Sequence, residues 1–241
     1  MRLVINFSGE GITIPYNHSY NIYSAILKTL KIYFSQTSFD IHDKNESYIP
    51  KFCMSQLLPG GKRLFMKEGM IADRFILLIS SPYEDILEKI KISLENEKKL
   101  KLFGNYLNLY SIKFENPKVS SEIITVITRS PIILKDKQTY ITSNSEYFHE
   151  FLKNNIVSKY MKKTGKIANI YFIRILEHKE KLLEVKGGMI PGSMVKFTIG
   201  ADYDVLETIM QLGIGSKTQI GFGFVEEDKR SGIIMGEKNA F

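Results

Sequence analysis

Near its carboxyl end the chain reads Gly213-Ile-Gly215-Ser216-Lys217-Thr-Gln-Ile-Gly221-Phe222-Gly223-Phe-Val225, a spacing suited to contact with an anion. Glycine admits positive φ and lets another molecule approach the main chain closely. Successive open N–H groups beside a lysine make a cradle for phosphate oxygens. The segment lacks the Gly-x4-Gly-Lys-Ser/Thr spacing of a Walker loop and the strand-then-helix setting of a dinucleotide fingerprint. A glycine-rich turn entering a last strand stays open beside the anion-binding reading. Proton transfer has few candidates, since the histidines are His18, His42, His149 and His178. An imidazole, with an ordinary pKa of about 6.5, is well placed to take and give a proton near neutrality. His42 follows Phe39-Asp40-Ile41 and precedes a polar stretch, Asp43 to Ser47. A fixed element on one side and a loop on the other would present it to a bound strand. Asp40 and Asp43 leave open a two-carboxylate metal site or a plain polar loop. His149 and His178 read as surface residues, and His18 as a helix-entry residue. No HExxH or paired Cys/His spacing occurs, so no bound metal and no cofactor are expected.

The elements that must position these groups fall into two similar runs. Arg2 to Phe7 alternates as a strand, and His18 to about Phe34 carries Ile22, Ile26, Leu30 and Tyr33 at helical spacing. Strands are expected over Lys51 to Leu57, Lys62 to Lys67 and Arg74 to Ser80, the last two joined by a turn at Lys67-Glu-Gly69. Ser81-Pro82 opens a helix with an Ile86, Leu87, Ile90, Leu94 stripe, and Leu107 to Phe114 is the closing strand. This is β-α-β-β-α-β, the ferredoxin-like order that RNA-recognition modules also use. After Asn116-Pro117 the order recurs. A strand over Glu122 to Thr128 leads to a helix from Ser145 to about Met161, capped by Asn144 or Ser143. Strands follow at Ile167 to Glu177 and Met194 to Ile199, then a helix at Asp202 to Leu212 and a last strand at Gly221 to Glu226. The fold class is α+β, with two tandem ferredoxin-like domains at 1–116 and 117–230 and a tail, 231–241, expected to be partly disordered.

The chain has 241 residues, 44% of them hydrophobic, and 28 Phe and Tyr (15 plus 13), which is enough for a buried core. No long apolar run crosses a membrane and no signal peptide opens the chain. The single cysteine, Cys53, permits no internal disulfide, fits a reducing cytoplasm, and reads as a small buried strand residue. A net charge of +7 attracts polyanions, nucleic acid first among them. The clusters Lys62-Arg63, Lys98-Lys99-Lys101 and Lys159-Lys162-Lys163 are dispersed and read as solvated faces.

With these residues in view, Gly213, Gly215, Lys217, Gly221, Phe222, Gly223 and Val225 resemble the terminal glycine-rich signature of one family. Its members are the CRISPR-associated endoribonucleases that cut precursor CRISPR RNA within its repeats, the sixth Cas protein. Met1 to Phe7 and Ile14-Pro15-Tyr16-Asn17-His18 resemble that family's opening strand and first-helix entry. Ile41-His42-Asp43 and Pro50-Lys51-Phe52 resemble its histidine loop and following basic strand, and Ser130-Pro131-Ile132 a motif opening its second half. The similarity runs in order from residue 1 to about 228.

The resemblance implies metal-independent cleavage by attack of the ribose 2′-hydroxyl, leaving a 2′,3′-cyclic phosphate and a 5′-hydroxyl. It implies His42 as the proton-transfer group and Lys51 as a cation for the phosphate, although a strand lysine pointing into solvent stays open for Lys51. The family's helix tyrosine falls on Leu27, so the partner of His42 is open among Tyr23, Lys28, Lys31 and Tyr48. Tyr23 is carried forward as the third catalytic candidate. Gly213, Gly215, Ser216, Lys217, Gly221 and Gly223 are assigned to RNA binding, and Phe222 to a base stack or to the core. The implied partner is CRISPR repeat RNA in a bacterial or archaeal cytoplasm. Other CRISPR-associated proteins of an interference complex, and a homodimer, stay open. The alternative is a non-catalytic RNA-binding subunit on the same double fold.

Overall fold

Alternation along β1 (Arg2–Ser8) puts Leu3, Ile5 and Phe7 on one face and Arg2 and Val4 on the other. Both faces are covered, which is why the strand is buried almost throughout. A computed structural model describes residues 1–42, 49–185 and 187–229, the side chains of 38–40 and 42 excepted. In the first half β1 leads to α1 (Ser19–Tyr33), α2 (Ser35–His42), β2 (Cys53–Met54), β3 (Leu58–Phe65), β4 (Met70–Ser80), α3 (Glu84–Glu97), β5 (Lys99–Leu102) and β6 (Asn105–Glu115). The sheet runs β2-β4-β1-β6-β5, with β3 also on β4. Ile22, Ile26 and Leu30 of α1 and Leu87, Ile90 and Leu94 of α3 pack on the Leu3, Ile5, Phe7 face.

The second half contains β7 (Ile123–Thr128), β8 (Leu134–Asp136), β9 (Thr139–Ile141), α4 (Phe148–Thr164), β10 (Ile170–Val185), β11 (Gly188–Ala201), α5 (Tyr203–Leu212), one 3-10 turn (Thr218–Ile220) and β12 (Val225–Glu227). Its sheet runs β10-β11-β7-β12. In both sheets the first and third strands of the unit lie side by side at the centre, flanked by the second and fourth. The ferredoxin-like order is therefore present twice.

Several boundaries differ from expectation for local reasons. The strand expected over Lys51 to Leu57 pairs only at Cys53 and Met54. Past Met54 the Ser55 N–H still donates to Leu78 O at 2.9 Å, but side chains take over the next bonds. Ser55 Oγ accepts from Leu78 N–H at 3.0 Å, and Leu57 N–H donates to His18 Nε2 at 3.0 Å. Lys99 and Lys101 belong to an edge strand whose alternate residues Leu100 and Leu102 are buried. The two β-runs of the second half are longer than expected and form one hairpin, with Val185 opposite Gly188. Helix α4 begins at Phe148, three residues after the expected start. Neither Asn144 nor Ser143 caps it; the Phe148 N–H donates to Ser145 O. The last strand starts at Val225, because the preceding residues form turns. Among the described residues no helix is long and apolar enough to cross a membrane. The expected tail, 231–241, lies outside the described residues.

The halves meet on the helix-free face of the first sheet. Val4, Cys53 and Leu78 pack there against Phe224, which is fully buried. The Arg2 guanidinium lies 5.0 Å from the centre of the Phe224 ring and pairs with Glu226, which also holds Arg129. Arg2 is 5% exposed, so its charge depends on that carboxylate.

Candidate active site

The glycine-rich loop is seated on the segment Ser130 to Ile133. Gly223 N–H donates to Pro131 O at 2.9 Å, Ser216 N–H to Ile133 O at 2.8 Å, and Phe224 N–H to Ser130 Oγ at 2.9 Å. Gly213 N–H closes the end of α5 on Ile209 O, Gly221 N–H reaches Thr218 O, and Gly215 N–H donates to Asn155 Oδ1 at 2.7 Å. The expected row of open glycine N–H groups is thus absent at Gly213, Gly215, Gly221 and Gly223. These donors are consumed in folding the loop, as buried backbone groups must be. Gly221 and Gly223 serve close packing instead. A Cβ on Gly221 would stand 3.0 Å from Ser19 Cβ at the start of α1, and one on Gly223 only 1.7 Å from Ile214 O. Phe222 is buried with Ile133 and Val185, which corrects the base-stacking option and leaves it a core residue.

What the loop offers a ligand is a rim of side chains. A cavity of about 460 Å³ opens between α1, α4 and the loop. Tyr20 and Tyr23 line it from α1, Asn155, Ser158, Lys159 and Lys162 from α4, and Gly215, Ser216, Lys217 and Thr218 from the loop. Among the described lining residues there are three lysines and no carboxylate. Lys217 is exposed at φ 60, a conformation that non-glycine residues rarely hold, and such outliers concentrate at working sites. The structure therefore brings Tyr23 together with Gly215, Ser216 and Lys217. Gly213, Gly221 and Gly223 support the loop behind that rim.

The His42 side chain lies outside the described residues, as do Tyr48 and the loop 43–48. His42 closes α2, a helix not anticipated, one residue after Ile41, which is anchored in the first core. The chain resumes at Ile49 and Pro50, both on the cavity wall. Lys51 does not line the cavity; its ammonium rests 5.2 Å from the centre of the Tyr83 ring. Lys28 and Lys31 are exposed on α1 and Leu27 packs on the first core, so Tyr23 is the one of the described alternatives that reaches the cavity. Burial, reinforced by the neighbouring Tyr20 phenol, pushes the Tyr23 hydroxyl up to about 12, so it keeps its proton near neutrality. Asp40 and Asp43 fall outside the described side chains. Among the described residues no three His, Cys, Asp or Glu side chains converge.

His18 is fully engaged. Its Nδ1 lies 2.6 Å from Pro15 O while Nε2 accepts from Leu57 N–H, so the ring is neutral with its proton on Nδ1. Burial drives its pKa down to about 4, against a smaller opposing pull from the Pro15 carbonyl. It ties the entry of α1 to the chain after β2 and has no free nitrogen for chemistry. His149 and His178 are exposed on α4 and β10.

Lys159 escaped the sequence reading. Beside Lys162 and Lys163 it reads as part of a solvated face, yet it is 8% exposed and donates to Gly213 O at 2.9 Å and Leu212 O at 3.2 Å. The signal was its register: Leu152, Ile156, Lys159 and Tyr160 share the buried stripe of α4.

Residues 112–227 match the family described as CRISPR associated protein Cas6, C-terminal. A protein of Methanocaldococcus jannaschii named CRISPR-associated endoribonuclease Cas6 1 is 30% identical, the match covering 95% of this chain and 94% of the relative. A solved structure described as CRISPR associated protein Cas6 superposes with a TM-score of 0.79 at 26% identity, over 95% of this chain and 99% of the other. Another, described as an RAMP protein binding different RNA substrates, gives 0.82 at 22% identity, over 95% and 100%. Agreement along nearly the whole length, in sequence and in fold, places the chain in the Cas6 family of CRISPR-associated endoribonucleases.

Proposed function

We propose that the protein cleaves precursor CRISPR RNA within its repeats, by attack of a ribose 2′-hydroxyl on the adjacent phosphorus. The carrying observation is the cavity rimmed by Lys159, Lys162 and Lys217, with no carboxylate among its described lining residues, against which the chain returns directly after the histidine loop. The nucleophile belongs to the substrate. A base takes the 2′-hydroxyl proton, the oxygen bonds to phosphorus, and the bond to the 5′-oxygen breaks as that oxygen receives a proton. The products are a 2′,3′-cyclic phosphate and a 5′-hydroxyl. His42 is assigned the proton transfers, a role imidazole chemistry suits. Tyr23 keeps its proton and so acts as a hydrogen-bond donor to phosphate or leaving oxygen. Lysine ammonium groups stabilise charge growing on the phosphate, which needs no metal ion. Lys51 sits one residue beyond the cavity wall and would join them by leaving Tyr83, on a flexible four-carbon stem. The proposed division of labour puts the proton-transfer loop in 1–116 and the phosphate-holding loop in 117–230.

The test is cleavage of repeat RNA in excess EDTA, followed by analysis of the ends. Persistent cutting with a cyclic phosphate or 3′-phosphate upstream supports the mechanism, whereas a 3′-hydroxyl there, or dependence on magnesium, overturns it. A 2′-deoxy residue just 5′ of the scissile phosphate should abolish cutting and spare binding. Lys217→Ala should weaken RNA binding and lower the slope of log affinity against log salt by about one unit or less. An unchanged slope would make the loop a structural turn only.

A second reading, a non-catalytic RNA-binding subunit, is favoured by Leu27 at the helix-tyrosine position and by the placing of the Lys51 ammonium on Tyr83. Binding without cutting, at any divalent-ion concentration, would select it.

A further inference from the structure

Helix α4 holds the glycine-rich loop with two side chains one turn apart. Asn155 Oδ1 accepts from Gly215 N–H, and Lys159 Nζ donates to Gly213 O and Leu212 O. Leu212 and Gly213 end α5, where free carbonyls and the helix dipole favour a cation. A lysine nitrogen has four positions: one carbon, and three that are protons in the ammonium, two protons and a lone pair in the amine. The two carbonyls use two protons in either state. Only the third position changes with charge, and among the described residues it meets no protein acceptor, while Lys159 lines the cavity.

No opposite charge faces this nitrogen among the described residues. From β2 comes Cys53, whose buried thiol is pushed up to about 12 and donates to Gln211 O at 3.4 Å, so it remains uncharged. From α1 come Tyr20 and Tyr23, and from the loop Lys217. On α4 itself Lys162 shares the cavity, and Lys163 is turned to Thr208 and Gln211 of α5. Burial without a counter-charge disfavours the ammonium and brings the Lys159 pKa down to about 7.

We propose that Lys159 is a positioning residue whose proton is bound together with RNA phosphate: the entering anion charges the clamp beneath the loop and takes its third N–H. This rests on the cavity being the RNA site, as proposed above. Phosphate in a site of low dielectric supplies the missing counter-charge, so the ammonium is favoured in the complex over the free protein. By linkage RNA affinity is then level where Lys159 is already charged, below about pH 7. It falls above that, by up to about tenfold per pH unit, until the raised pKa of the complex is passed.

The experiment is calorimetric titration of His42→Ala protein with repeat RNA at pH 8, in two buffers of different ionisation enthalpy. The His42 substitution removes cutting, so that binding is read alone. Uptake of roughly 0.5–1 proton per RNA is expected. In the Lys159→Met and Lys159→Arg backgrounds that uptake should vanish. Lys159→Arg, charged at every pH used, should also lose the decline in affinity between pH 7 and 8.5. Tight binding with no proton uptake would overturn this inference while leaving the RNA-binding reading intact. Absence of RNA binding would remove that reading and the inference with it. Uptake that persists in both Lys159 variants would assign the proton elsewhere and reject Lys159. A merely structural lysine would weaken binding equally at all pH.

Discussion

Replacing His42 by alanine is expected to slow cleavage of repeat RNA by about two orders of magnitude or more, with affinity little changed. In sequence the residue lies between anchored Ile41 and the cavity-lining Ile49 and Pro50, and neither His18 nor His149 is placed to substitute for it. His18 spends both ring nitrogens on backbone groups, and His149 is turned to Ile173 O on β10. Tyr23 and Lys159 would still hold phosphate, which is why binding should survive. Single-turnover rates under saturating protein separate the two effects. In the native protein the rate should depend on pH through the proton-transfer group, and that dependence should be missing from the variant. An unaltered rate would remove this imidazole from the reaction.

Gly223→Ala is expected to be among the most destabilising single changes. The residue has φ 61, and a Cβ there would stand 1.7 Å from Ile214 O, a backbone atom that itself lies beside the loop's closing bond. Strain of the left-handed backbone and the clash act together. A loss of roughly 3–5 kcal/mol is expected, or a drop in Tm on the order of 10 °C for a chain of this size. The comparison is Gly11→Ala, also at positive φ (71) but with nothing within 4 Å of the added carbon, where only the backbone term applies. Equal melting temperatures for the two variants would show that the Gly223 contact does not exist in solution. A lost Tm with RNA binding retained would show that the loop's grip on RNA survives its loosening.

The double β-α-β-β-α-β order was legible because it depends on periodicity alone. Alternating Leu3, Ile5, Phe7 and the helical stripe Ile22, Ile26, Leu30 each describe one buried face. Short strands such as β5 and β8 were hidden. Four residues with two lysines, Lys99-Leu-Lys-Leu102, carry too little pattern to separate an edge strand from a solvated loop. The glycine-rich segment was visible as a special place, but its chemistry was misread in one respect. Whether an N–H is open depends on what lies opposite, and the seat at Ser130 to Ile133 is 83 to 94 residues away in sequence. The same holds for Lys159, which sequence proximity assigned to a basic cluster although its place in the apolar stripe of α4 pointed inward. Distant partners, not local composition, decide both.

Residue 2 and residue 226 are ion-pair partners, and the ring of Phe224 fills the sheet face that Val4 and Leu78 leave bare. During synthesis the amino-terminal half therefore emerges from the ribosome with an apolar flank unfilled, and with Arg2 lacking its carboxylate. Only when residues 224–227 have been translated can β12 dock and shut that flank. Nascent chains stalled before Phe224 should be sticky and dependent on chaperones, so the codons for residues 224–226 govern whether the first module is safe in the cell.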